Sequence, residues 1–205
     1  MRRILITGGA GNIGGSLARR LVENPNNFVT IIDNLITGNV NKLPDKKYNN
    51  WFFTSSDENI NYEELQLRLL EQNFEDADRL TSSYLRKLAG KLAENRGYVF
   101  YSEVNNMSGI DLQTIDRLWT IYSNGRFGFS IQAKLLKSVG KKYELLWPKI
   151  GWKKDGYWTR YPSSFSWSLE APEGHMPLIN QLRGVRLMDS ILRHPAISLR
   201  HNNIL

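Results

Sequence analysis

A chain of 205 residues, 41% hydrophobic and 23% charged, is long enough for one soluble globular domain with a sizeable core, alone or with a small appendage. It has no Cys, which removes disulfides, thiol catalysis and thiolate metal sites, and no apolar run approaches the ~20 residues of a membrane span. The net charge of +7 is uneven: residues 1–54 hold seven basic and three acidic side chains, 55–140 ten and twelve, and 141–205 ten and five. A basic end suits an acidic small molecule, an acidic protein surface or a nucleic acid. The start, MRRILITGG, has no small-residue cleavage site, so a cytosol-like compartment is expected.

Arg3–Thr7 reads as a short buried strand, followed by a glycine-rich turn, a helix over Gly15–Glu23 and a second strand over Phe28–Ile32 that ends in Asp33. Gly8, Gly11 and Gly14 would allow a tight turn and bring backbone N–H groups toward a pyrophosphate at the helix N-terminus, and Asp33 is spaced to accept hydrogen bonds from a ribose. TGGAGNIGG at Thr7–Gly15 and DNLITG at Asp33–Gly38 resemble the opening of the extended short-chain dehydrogenases, the nucleotide-sugar epimerases and dehydratases. The resemblance stops near Phe53. It lacks the family's Tyr-x-x-x-Lys pair, the nearest spacing being Tyr122 with Arg126, so a fragment of an NAD-dependent epimerase or dehydratase is the alternative reading and NAD is not an expected cofactor. Residues 39–61 are polar and irregular, with Trp51–Phe53 as a third short strand within them. The expected division is therefore a truncated Rossmann-like segment with its linker over 1–54 and a helical domain over 55–205.

From Tyr62 the pattern turns helical. Leu65, Leu69 and Leu70 form one apolar face before Asn73, and Phe74 opens a second helix with Ala77, Leu80, Tyr84, Leu85 and Leu88 as its stripe. Asp76 and Asp78 are read as favouring the dipole at that helix start. Asp111 is expected to cap a third helix whose Leu112, Ile115, Leu118 and Trp119 turn inward, and Ile131–Val139 forms a fourth. Glu103 and Asp111 have no second acid or His at obvious spacing, and His175, His194 and His201 are scattered, so neither catalytic residues nor metal ligands are assigned.

The stretch from Trp147 to Arg186 gathers Trp147, Trp152, Trp158 and Trp167 with Tyr157, Tyr161 and Phe165, broken by Pro148, Pro162, Pro172 and Pro177 and by a turn at Lys153–Gly156. Rigid aromatic surface carried largely on loops, followed by Arg183 and Arg186 at helical i, i+3 spacing, would suit a flat apolar dianion. The same rings could serve only as core, and basic residues among aromatics could stack single-stranded nucleic acid.

FEDADRLT at Phe74–Thr81, LRKLAG at Leu85–Gly90, DLQTIDRLW at Asp111–Trp119, SNGRFGFSIQ at Ser123–Gln132, LWPKIGWKKDGYWTRYP at Leu146–Pro162 and APEGHMPLINQLRGVRLMDSILRHP at Ala171–Pro195 resemble the Genomes-Uncoupled-Four family, the tetrapyrrole-binding regulators of chlorophyll synthesis. That resemblance, over about Glu63–Pro195, implies a mainly α fold: a compact helical cupped-hand domain, here behind the incomplete β-α-β segment. It implies a non-catalytic protein that binds protoporphyrin IX or Mg-protoporphyrin IX and stimulates magnesium chelatase through its large porphyrin-binding subunit. Carried over by position, the porphyrin-binding residues are Tyr101, Trp158, Tyr161, Phe165, Arg183 and Arg186, with Phe127 and Phe129 as further candidates for the same wall. Arg160-Tyr161-Pro162 and Tyr101-Ser102-Glu103-Val104 carry Tyr where close relatives have Trp and Phe, which implies a changed ligand orientation or affinity. A monomer of the cyanobacterial cytoplasm or plastid stroma is expected, with peripheral membrane association left open and no nucleic-acid partner.

Overall fold

The computed structural model describes residues 1–33, 38–45, 47–54, 56–58, 60–179 and 185–198. Contacts divide the chain into two units, Met1–Ile60 and Asn61–Leu205.

In the first unit, β1 (Arg2–Thr7), α1 (Asn12–Leu21), β2 (Asn27–Ile32) and β3 (Trp51–Thr54) make a parallel sheet in the order β1-β2-β3. β-branched and aliphatic runs favour such strands, and Ile6, Val29 and Ile31 close a small core with Ala18 and Val22 from the helical side. The glycine turn has internal reasons for its composition. A Cβ on Gly14 would stand 2.4 Å from the Gly8 carbonyl oxygen, and Gly8 itself has φ of +64°. The Asp33 carboxylate is buried and accepts the Ala10 N–H at 2.8 Å, tying the end of β2 to the turn. Gly8, Gly11, Gly14 and Asp33 thus belong to one local structure.

The second unit is helical: α2 (Glu63–Leu70), α3 (Phe74–Leu88), α4 (Lys91–Arg96), a 3-10 turn (Tyr101–Asn106), α5 (Gly109–Tyr122), α6 (Phe129–Ser138), α7 (Tyr143–Lys149), α8 (Arg186–Arg193) and α9 (Pro195–Ser198), with a two-stranded hairpin of β4 (Lys153–Lys154) and β5 (Tyr157–Trp158). Its core is built on α5, whose Leu112, Ile115, Leu118 and Trp119 are completely enclosed. Trp119 stacks on Phe74 at 6.1 Å, and its indole N–H donates to Thr81 Oγ1 at 2.8 Å, so the largest core ring carries no unmet donor.

Three expectations change here. Ser108, not Asp111, caps α5: its side chain accepts the Asp111 N–H, while the buried Asp111 carboxylate receives the Tyr62 hydroxyl at 2.7 Å. α6 begins at Phe129, two residues early, because Asp116 of α5 reaches across to accept the Ser130 N–H at 2.8 Å. Leu70 is 62% exposed, whereas Leu65 and Leu69 are fully buried, since the inward arc of this short helix is completed by Gln66, whose amide donates to the Tyr122 hydroxyl. Removing side chains at adjacent positions should therefore have unequal effects. Leu69→Ala is expected to lower stability by about 2–5 kcal/mol and Leu70→Ala by under about 0.5 kcal/mol, measured by urea denaturation.

Candidate functional site

The aromatic stretch is ordered by a ladder of rings that starts on α7. Tyr143 packs on Trp147, Trp147 stacks on Trp152 with centroids 5.6 Å apart and planes 8° from parallel, and Trp152 leans on Phe165. Phe165 in turn meets Trp167, Tyr161 and the His175 imidazole. The lower rungs are core: Trp152 is enclosed, and its N–H donates to the His175 carbonyl at 2.7 Å. The upper rungs are open to solvent. Asp155 (φ +50°) and Gly156 (φ +84°) form the tight turn that places Trp158 on β5, half exposed, against Trp147. Lys153 Nζ lies 5.7 Å from the Trp158 ring centre. A groove of about 770 Å³ runs along this hairpin, bordered by Lys153, Trp158, Arg160, Ser164, Pro172 and His175.

The candidate porphyrin-binding residues separate by exposure. Tyr101, Trp158 and Tyr161 are 47%, 50% and 44% exposed. Tyr161 stands edge-on to Phe165, and the Arg186 guanidinium, at the first turn of α8, lies 5.4 Å above the Tyr101 ring. Tyr101 with Arg186 and Tyr161 with Phe165 are thus two contacting pairs, and Trp158 lies on the hairpin. Phe127 and Phe129, by contrast, have no exposed surface: Phe127 is packed edge-on against Phe74, and Phe129 sits in the first turn of α6. Both are core side chains and offer no exposed face to a ligand. Phe165 is nearly as buried and packs against Tyr161 and Trp167. Arg183 lies outside the described residues.

Local sequence reading missed the group that holds Tyr161. Asp78 of α3, read above as a helix-dipole residue, is buried; its carboxylate accepts the Leu178 N–H at 2.6 Å and the Tyr161 hydroxyl. Burial pushes the Asp78 carboxyl up to about 7, against the lowering effect of those two hydrogen bonds. Its own burial, and after that the Asp78 carboxylate, push the Tyr161 phenol up to about 12, with Arg79 opposing. On the far side of Phe165, the Nδ1–H of His175 donates to the Ile150 carbonyl at 2.7 Å and Nε2 accepts the Ser166 N–H at 3.3 Å, so both ring nitrogens are engaged in structure. Among the described residues, no group of His, Asp and Glu side chains converges as a metal site would.

Burial holds the His175 imidazole below its ordinary 6.5, although the Ile150 carbonyl favours the charged form. The native state therefore binds fewer protons here than the unfolded chain, and the contribution of His175 is complete above pH 6.5 and declines as the pH falls below it. His175→Asn is expected to lower stability by about 1–3 kcal/mol at pH 7.5, with a penalty that shrinks toward pH 5, read as the wild-type minus variant difference in urea denaturation.

Residues 55–195 match the family model described as GUN4-like. The chain is 48% identical over 147 residues to the Ycf53-like protein of Synechocystis sp., covering 72% of this chain and 63% of that protein. It is 40% identical to the chloroplastic tetrapyrrole-binding protein of Arabidopsis thaliana, covering 69% of this chain and 57% of the relative, so it spans roughly three-fifths of the length of these relatives. In structure it resembles GUN4 from Chlamydomonas reinhardtii (TM-score 0.67, 38% identity, 70% of this chain and 94% of that one) and the ligand-free form of Arabidopsis thaliana GUN4 (TM-score 0.63, 42% identity, 67% and 98%).

Proposed function

Because the chain belongs to the GUN4-like family, we propose that it is a non-catalytic tetrapyrrole-binding regulator. Its ligand is protoporphyrin IX or Mg-protoporphyrin IX, and it delivers that ligand to, and stimulates, magnesium chelatase through the enzyme's large porphyrin-binding subunit. The name of the Arabidopsis thaliana relative, a tetrapyrrole-binding protein, supports the ligand class, and the cyanobacterial and chloroplastic relatives support work in a cyanobacterial cytoplasm or plastid stroma. Among the described residues no helix is long and apolar enough to cross a membrane.

The observation that carries the reading is the pairing of half-exposed aromatic faces with a guanidinium, seen most directly where Arg186 covers Tyr101. A tetrapyrrole has two broad apolar faces and an edge with two carboxylates. Covering about 300 Å² of its apolar area at ~25 cal/mol per Å² offers several kcal/mol before the costs of association. The rings of Tyr101, Trp158 and Tyr161 supply that contact, while Arg186, with Arg183, orients the propionates through charge-assisted hydrogen bonds.

The test is titration of intrinsic Trp fluorescence with protoporphyrin IX and, in parallel, with NAD. Saturable quenching by the porphyrin alone is expected; saturable binding of NAD alone would favour the nucleotide-sugar enzyme reading. The double variant R183A/R186A should bind the free-acid porphyrin about ten-fold more weakly and leave the dimethyl ester nearly unaffected. Equal affinity of acid and ester in the wild-type protein would remove the role given to the two Arg.

A further inference from the structure

The Asp78 carboxylate meets two parts of the chain that have no regular structure of their own. One contact is the Tyr161 hydroxyl, three residues beyond β5, and the other is the Leu178 N–H, which follows the segment packed around His175. The acceptor is 100 residues away from Leu178 in sequence and sits on the buried side of α3, a long, regular helix. Such an arrangement fixes two loops to a rigid element through one side chain. As a carboxylate the side chain accepts both donors with its full negative charge; the neutral acid keeps some acceptor capacity but gains an O–H donor and holds the pair less strongly.

We propose that Asp78 is a positioning residue for the tetrapyrrole site: its carboxylate form holds Tyr161 and the chain at Leu178 in the arrangement that receives the ligand, and protonation loosens both. The inference rests on the tetrapyrrole reading above, and it adds a residue that touches no ligand itself. The charged and titratable groups that face Asp78 are Glu75 and Arg79 on its own helix and the Tyr161 phenol from the opposite loop. Arg79 is shared, since it also pairs with Glu75 and lies 3.9 Å from Asp76. The position of this equilibrium near neutrality follows from burial opposed by the two hydrogen bonds. Ligand affinity and carboxylate ionisation are then reciprocal: a ligand that prefers the ionised form must lower the midpoint at which Asp78 titrates.

The experiment follows the Asp78 side-chain carbon by NMR in protein labelled with ¹³C-aspartate, assigned by its absence in Asp78→Asn, together with protoporphyrin IX titrations at pH 6 and pH 8. In ligand-free protein the midpoint should lie near 7 and move upward in Tyr161→Phe, which removes a hydrogen bond to the carboxylate. Saturating protoporphyrin should lower it by about half a unit. The affinity ratio of wild type to Asp78→Asn should accordingly rise about 2.5-fold from pH 6 to pH 8, a comparison that cancels the titration of the porphyrin itself. Asn keeps the shape and an acceptor for the Leu178 N–H, so a folded variant is expected. Identical pH profiles in wild type and Asp78→Asn, or a midpoint that ligand does not move, would overturn the proposal. Absence of porphyrin binding in every variant would instead remove the functional reading and the coupling with it. In that case the Tyr161→Phe shift alone decides whether Asp78 anchors the loop.

Discussion

The second unit depends on a single constraint: loop backbone that is taken out of water must find hydrogen-bond partners without a helix or sheet to supply them. The segment 171–178 shows how this is met. Arg126 donates to the Ala171 carbonyl, Gln132 donates to the carbonyls of Gly174 and Pro177, the Gly128 N–H reaches the Met176 carbonyl, and Asp78 takes the Leu178 N–H. Each of these partners is fixed by α3 or α6 or by the tight turn between α5 and α6. The aromatic rings above inherit their positions from that scaffold, since His175 and Trp152 lock Phe165 into the same network. A site made of loops is thereby given the precision of one made of helices.

Much of this was legible from the chain itself. The inward stripe of α5 follows the 3.6-residue period, and the turn at Asp155–Gly156 follows from the tolerance of those residues for positive φ. The parallel β-α-β arrangement of the first unit follows from two short apolar runs flanking a glycine turn, and β3 adds a third strand where Trp51–Phe53 stood out. What local pattern could not supply was long-range. The early start of α6 and the engagement of Asp78 are each set by a residue far along the sequence from its partner, by 14 and 100 positions, whereas the cap on α5 is local, Ser108 standing three residues before the Asp111 N–H that it accepts. Leu70 was misplaced for a different reason: a helix of two turns has too few apolar residues to fix its own phase, and the polar Gln66 took the inward position. Short α4 and α7 have no side-chain hydrogen bond at their N-caps to announce them, although Gly97 closes α4 in the left-handed conformation.

The candidate site shows the same limit. Phe127 and Phe129 are aromatic, near other recognisable motifs and chemically suited to a porphyrin face, and composition does not distinguish them from Tyr101, Trp158 and Tyr161. Their burial goes with the way Asp116 anchors the start of α6: the Phe127 ring packs edge-on against Phe74, and Phe129, in the first turn of α6, is enclosed as well. The hydroxyl of Tyr101 and the indole N–H of Trp158 would have needed partners inside the core, which favours their place at its margin, whereas the Tyr161 hydroxyl has a buried partner in Asp78. Within the candidate set the polar-tipped rings are the exposed ones, but the signal is not general: Trp119 and Trp152 also carry an N–H and are enclosed, because that N–H is bonded to Thr81 and to the His175 carbonyl.

The aromatic stretch is therefore core in part and exposed surface in part, on successive rungs of one ladder. Trp147, Trp152 and Phe165 are the structural rungs: packed within about 6.5 Å of their neighbours, they remove the rotamer freedom that an isolated surface ring would lose on meeting a ligand. Trp158 and Tyr161 are the next rungs, each held on one side by a buried ring and open on the other. Ordering costs for these two are already met by folding, so contact with a flat apolar molecule need only displace water. Rigid support beneath an exposed ring is what lets a small apolar area bind with useful strength, and it is why a change deep in the ladder would be felt at the surface.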